Sequence, residues 1–257
     1  MDRRELYVLE TAGGRWVWKR SDRAAISNRL TLGQDGDAYA DGTAYDFRKK
    51  HTEPVFTPFS GSKQRRAQPS SCLESLRGME TCLTALRSHD HGSDPFVRGS
   101  VSSACMHFGG MVGDHTTASM IVELAPDKTV VWATGSSLPC VSLFKPWLFG
   151  TEPVAPVYAS GDPAAKAAWL REEAFRRSLV GKQIPGEFYA QRDDLEGRWL
   201  EQAKSVDAAA FPAFSRACLA EERQFFDRWS QYAFPSASAG KAFLSRWEKK
   251  NAALERE

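Results

Sequence analysis

The chain has 257 residues, enough for one large domain or two small ones, and its 42% hydrophobic and 26% charged residues are ordinary for a globular protein. With 34 basic against 32 acidic side chains the net charge is +2, which gives no basis for a nucleic-acid or anionic-membrane partner. No apolar run reaches the roughly 18–20 residues that span a bilayer, and the opening MDRRELYVLETAGG lacks a signal-peptide core, so the sequence predicts a cytoplasmic protein.

The first elements in chain order are ELYVLETA (5–12), two glycines and RWVWKR (15–20), a pattern that predicts a β-hairpin. AAISNRLTL (24–32) is a third strand candidate. Residues 33–69 carry no sustained period and predict a long surface excursion, with the basic run KQRRAQ (63–68) as a solvated loop. Ser71 and Glu74 have capping-box spacing and predict a helix start. Cys72, Leu76, Met79, Leu83 and Leu86 then recur at helical spacing, up to a stop near HDHGSDP.

Four strand candidates follow: 101–108, 116–124, 129–135 and 140–147. The turn APDK (125–128) predicts that the middle two form a hairpin. From Asp162 onward the chain predicts helices. Asp162-Pro163 supplies an N-cap and N1 proline, and further helices cover about 187–204, 208–232 and 239–255. The expected buried anchors include Trp169, Phe175, Phe188, Trp199, Phe214, Phe225, Phe226, Trp229, Phe243 and Trp247. The fold class is α+β, with antiparallel sheets and a helical C-terminal region. Residues 1–160 form the mixed core and 161–257 the helical part packed on it.

Several side chains can carry chemistry. Cys105 and His107, two apart on a strand, would face one pocket, and an imidazole can activate a thiol. A strand cysteine is more often a small buried hydrophobe. His89 and His91 could join His107 or His115 around a metal, although histidines after a helix also suit the helix dipole. Five cysteines, odd in number and widely spread, fit reduced thiols, and without a CxxC pair they signal no structural zinc site. Arg65, Arg66 and Arg87 can clamp a carboxylate or simply face solvent. The Asn28 amide can donate to an oxyanion or cap its own turn.

Taken together and in order, YVLETAGGRWVWKR (7–20), ISNRLTL (26–32), LRSHD (86–90), ACMHFGG (104–110), TTASMIVEL (116–124), WATGSSLPCVSLFKP (132–146) and WLREEAFRR (169–177) resemble the secernin and dipeptidase-A family of N-terminal-nucleophile cysteine hydrolases. The resemblance implies part of a four-layer αββα sandwich and hydrolysis of peptide bonds in small peptides. The family's nucleophile is a cysteine at a mature N-terminus whose α-amino group acts as base. Residue 2 here is Asp, and YVLETAGG resembles a mid-domain element. The resemblance therefore implies that the nucleophile half lies in a second chain or is missing, and that the chain is inactive alone. By resemblance Asn28 is the oxyanion donor, and Arg65, Arg66, Arg87, His89, His107, His115, Thr116 and Thr117 lie on motif positions near substrate. No cofactor and no metal is implied. The implied partners are a small peptide and either the nucleophile-bearing chain or a second copy, with no nucleic acid and no membrane. The alternatives are a non-catalytic, secernin-like binding protein and a His-dependent metallohydrolase.

Overall fold

In the computed structural model of the protein, residues 4–55, 57, 60–75, 78–90, 94–110, 113–151 and 161–254 are described. The chain divides into two compact units, Met1–Asp90 with Val101–Ala104 and His91–Ser100 with Cys105–Glu257.

The first unit is built on the expected hairpin. Strands β1 (Leu6–Ala12) and β2 (Arg15–Ser21) pair antiparallel from Leu6 opposite Ser21 to Ala12 opposite Arg15. A two-residue turn can close that register only with unusual torsions, and Gly13 adopts φ +59°. A short β3 (Ala38–Tyr39) pairs with the other edge of β2, through Val17 and Trp18. One face of β2 and β3 points Val17 and Tyr39 into a core shared with Leu32 and Phe47. The other face of the hairpin leaves Tyr7, Leu9 and Trp16 exposed.

Four expectations for this unit are corrected. Residues 24–32 form no strand. The amides of Thr31 and Leu32 donate to the Glu10 carboxylate at 2.7 and 2.9 Å, which takes the donors a ladder would use. Residues 33–69 are not a bare excursion. They contain β3, helix α1 (Phe47–His51), capped by the Asp46 carboxylate, and the start of helix α2 (Ser62–Ser75). Helix α2 begins well before Ser71, whose hydroxyl donates to the Gln68 carbonyl instead of capping. The single helix expected from Cys72 to Leu86 is interrupted at Gly78, with φ +89°, before helix α3 (Met79–Leu86). Helix α2 was hidden because it has almost no apolar periodicity to read. Leu76 of the expected stripe and His91 of the candidate ligands lie outside the described residues.

The second unit contains strands β4 (Met120–Leu124), β5 (Thr129–Ala133) and β6 (Lys145–Leu148), antiparallel in that order. The predicted hairpin is present: Leu124 pairs with Thr129, and the Ala125 amide donates to the Lys128 carbonyl. Ile121, Val130, Trp132 and Leu148 bury one face of this sheet, while Met120 and Val122 remain exposed on the other. Residues 101–108 do not form the expected strand. The backbones at Gly99 and Gly109 approach so closely that a Cβ on Gly99 would sit 2.3 Å from the Phe108 oxygen, and an irregular crossing results. The expected strand at 140–147 begins only at Lys145. Before it, Pro139–Val141 forms a 3-10 turn entered through Leu138 at φ +53°, rare for a branched residue.

Helices α4 (Pro163–Ser178), α5 (Gly186–Ser205), α6 (Phe211–Ser230) and α7 (Lys241–Leu254) follow the sequence reading closely. Asp162 caps α4 by accepting from the Ala164 amide at 2.8 Å. Phe188, Trp199, Phe225, Phe226, Trp229, Phe243 and Trp247 are buried, and Trp169, Phe175 and Phe214 are half-buried. Among the described residues no helix is long and apolar enough to cross a membrane.

Among the described residues of this unit, 136–146 form a continuously buried run, irregular up to Phe144 and ending in the first two residues of β6. Irregular backbone forms no ladder with itself, so its polar groups need other partners. The helices supply them. Glu196 of α5 accepts from the Phe144 amide at 2.7 Å, and Arg192 donates to the Cys140 carbonyl. Arg176 of α4 donates to the Ser142 hydroxyl at 2.6 Å, and Ser142 donates on to the Ser137 carbonyl at 2.7 Å. Lys145 reaches Glu222 of α6 at 2.5 Å with both side chains buried.

Candidate functional site

In the first unit the structure brings Asn28 and Arg65 together. Arg65 Nη2 donates to Asn28 Oδ1 at 2.5 Å. The guanidinium is fixed by two backbone carbonyls, Ser60 at 2.6 Å and Val101. Partial burial lowers the Arg65 pKa, but a guanidinium remains a cation and offers only donors. The carboxamide must therefore present its oxygen to Arg65, which leaves the Nδ2 donors turned away from the guanidinium on an exposed residue. Arg66 anchors the same segment, its Nε donating to the Ala25 carbonyl at 2.8 Å. A cleft lined in part by Arg23, Ala25, Ile26, Thr31, Arg66 and Glu74 borders this segment. Arg87 and His89 follow helix α3, both half-buried.

In the second unit the candidates separate into two clusters. His115 Nε2 lies 2.9 Å from Glu173 Oε1, which also accepts from Arg177 Nε at 2.7 Å. Glu173 Oε2 accepts from the Ser137 hydroxyl. Serine, histidine and an acid thus meet, but the carboxylate lies between the other two. The imidazole bonds the acid rather than the hydroxyl, so this is no nucleophile–base pair. Burial opposes the charge on Glu173, and donors from His115, Ser137 and Arg177 outweigh it, holding its pKa at about 2. Thr116 is structural: its hydroxyl accepts from the Met106 amide at 2.9 Å, and its own amide donates to the Met106 carbonyl at 3.0 Å. Thr117 is exposed.

His107 belongs to the other cluster. Its Nε2 lies 3.5 Å from Cys105 Sγ and 3.3 Å from Cys140 Sγ, and all three residues are buried. The ring of Phe96 stands edge-on to the imidazole at 4.9 Å. Two thiols and an imidazole are soft and borderline donors that could hold a metal. Sequence reasoning paired Cys105 with His107 but passed over Cys140, Glu173, Lys145 and Glu222. Spacing gives no signal for partners more than thirty positions apart (Cys105 to Cys140, or His107 to Cys140).

Comparison with known proteins adds no name to these clusters: no protein-family model matches the chain, and no solved structure matches it.

Proposed function

We propose that the protein supplies the oxyanion-binding portion of a cysteine-type, dipeptidase-like hydrolase of peptide bonds. The observation that carries this reading is the Asn28–Arg65 pair, in which a pinned arginine fixes the orientation of an exposed carboxamide. Attack on an amide carbonyl creates a tetrahedral oxyanion, and a donor already aimed at it stabilises the transition state without reorganisation. Asn28 Nδ2 is that donor. The thiol adds to the carbonyl carbon, and its proton passes through the α-amino base to the leaving amine. Water then releases the acyl group from sulfur.

A base of that kind requires a cysteine with a free α-amino group. In this reading the attacking thiol belongs to the N-terminal cysteine of a partner chain. The exposed apolar face of each sheet supports such a partner, because sheet-on-sheet packing buries faces of this kind.

The test is co-expression with a chain whose processed N-terminus is Cys, followed by a dipeptide cleavage assay. The expected result is a stable complex that hydrolyses dipeptides. In that complex Asn28→Ala should lower kcat by about 10²–10³-fold. Peptide binding without hydrolysis would favour the non-catalytic, secernin-like alternative, and no pairing with no activity would end the two-chain reading.

A further inference from the structure

We propose that Cys105, His107 and Cys140 form a zinc site in the second unit, independent of the hydrolase reading. Their three ligand atoms all lie within 4.8 Å of one another. Zinc bonds of about 2.3 Å to sulfur and 2.0–2.1 Å to nitrogen, at tetrahedral angles, set the S···N edge at about 3.5 Å. The two S···N distances here are 3.5 and 3.3 Å. A neutral imidazole nitrogen offers a single in-plane lone pair, so it accepts one thiol proton well and two poorly. One metal ion meets all three donors at once. Two thiolates also balance the charge of a divalent zinc, which lets a net-neutral centre sit among residues that are 0, 2 and 4% exposed.

The elements that carry the donors are fixed independently. Cys105 and His107 lie on the crossing segment that Thr116 holds through both of its bonds to Met106. Cys140 sits in the 3-10 turn, and Arg192 pins its carbonyl. Phe96 limits rotation of the imidazole. Sites of this composition select zinc over harder cations, because thiolate and imidazole are poor ligands for magnesium or calcium. The unit's own donors fill three of the four tetrahedral positions.

The experiment uses the full chain, purified under reducing conditions and incubated with Zn²⁺ or Co²⁺. One metal per chain is expected, with a thiolate-to-cobalt charge-transfer band and two sulfur neighbours in X-ray absorption. Cys105→Ser, Cys140→Ser and His107→Ala should each weaken binding at least about tenfold, while Cys72→Ser should leave it unchanged. The cobalt spectrum of the unaltered chain reads the site without relying on any variant folding. A reduced chain that takes up no metal would overturn the proposal. So would metal whose X-ray absorption shows no sulfur, or a Cys105–Cys140 disulfide that forms readily in a chain that never binds zinc.

Discussion

Glu173 shows how one residue can couple acid stability to a single buried group. Its carboxylate accepts from His115, Ser137 and Arg177, and its pKa falls from 4.5 to about 2. A depressed acid stabilises the fold fully above its unfolded pKa, and that contribution is lost as pH falls from about 4.5 toward 2. The shift corresponds to about 3 kcal/mol. Urea unfolding midpoints measured between pH 6 and pH 2.5 should therefore drop steeply on the acid side. Glu173→Gln should cost about 3–5 kcal/mol at neutral pH and flatten that acid slope, because it leaves Arg177 beside an uncharged partner. An unchanged slope would show that Glu173 is not the group being titrated. At this scale the sequence was informative about residue types and silent about partners. Asn28 and Arg65 were both singled out, yet their 2.5 Å contact depends on helix α2, which apolar periodicity did not reveal.

At the scale of elements, the stretch from Ser136 to Pro146 and the helices around it depend on each other. A buried irregular strand lead-in is stable only if charged side chains from α4, α5 and α6 satisfy it. The Lys145–Glu222 pair is an ion pair with both side chains buried. Burial pushes Glu222 up to about 7, and Lys145 opposes that rise. Lys145→Met should destabilise by about 3–5 kcal/mol, because the glutamate stays buried without its cation. The double change Lys145→Met with Glu222→Leu should recover most of the loss, as apolar replacements of buried ion pairs commonly do. Chemical denaturation of the two variants checks this, and a double variant no more stable than the single would refute it. The helices α4–α7 were legible because caps and apolar spacing are local signals. The strands at 24–32 and 101–108 were over-read. Their β-like composition was outweighed by the Glu10 carboxylate in one case and by the Gly99–Gly109 crossing in the other.

For the whole molecule, the two three-stranded sheets share one property: each turns an apolar face outward. Leu9 is 60% exposed in one and Met120 62% in the other. Faces of this kind drive association, and among the described strands β1 and β4 lie at the edges of their sheets. The isolated chain should self-associate in size-exclusion chromatography with light scattering. Leu9→Lys together with Val122→Lys should shift it toward monomer while circular dichroism stays unchanged. A chain that is already monomeric would remove the argument that these faces await a partner.

The sequence by itself determined the hairpin, the β4–β5 turn, the four C-terminal helices and the α+β class, because each rests on contacts between near neighbours along the chain. Only the tertiary structure decided which donors meet. His107 faces Cys105 and Cys140, His115 faces Glu173, and Asn28 is oriented by Arg65. Apart from Cys105 with His107, those pairings join residues tens of positions apart. They are fixed by helix packing and by the need to satisfy buried backbone, and neither is written in local periodicity.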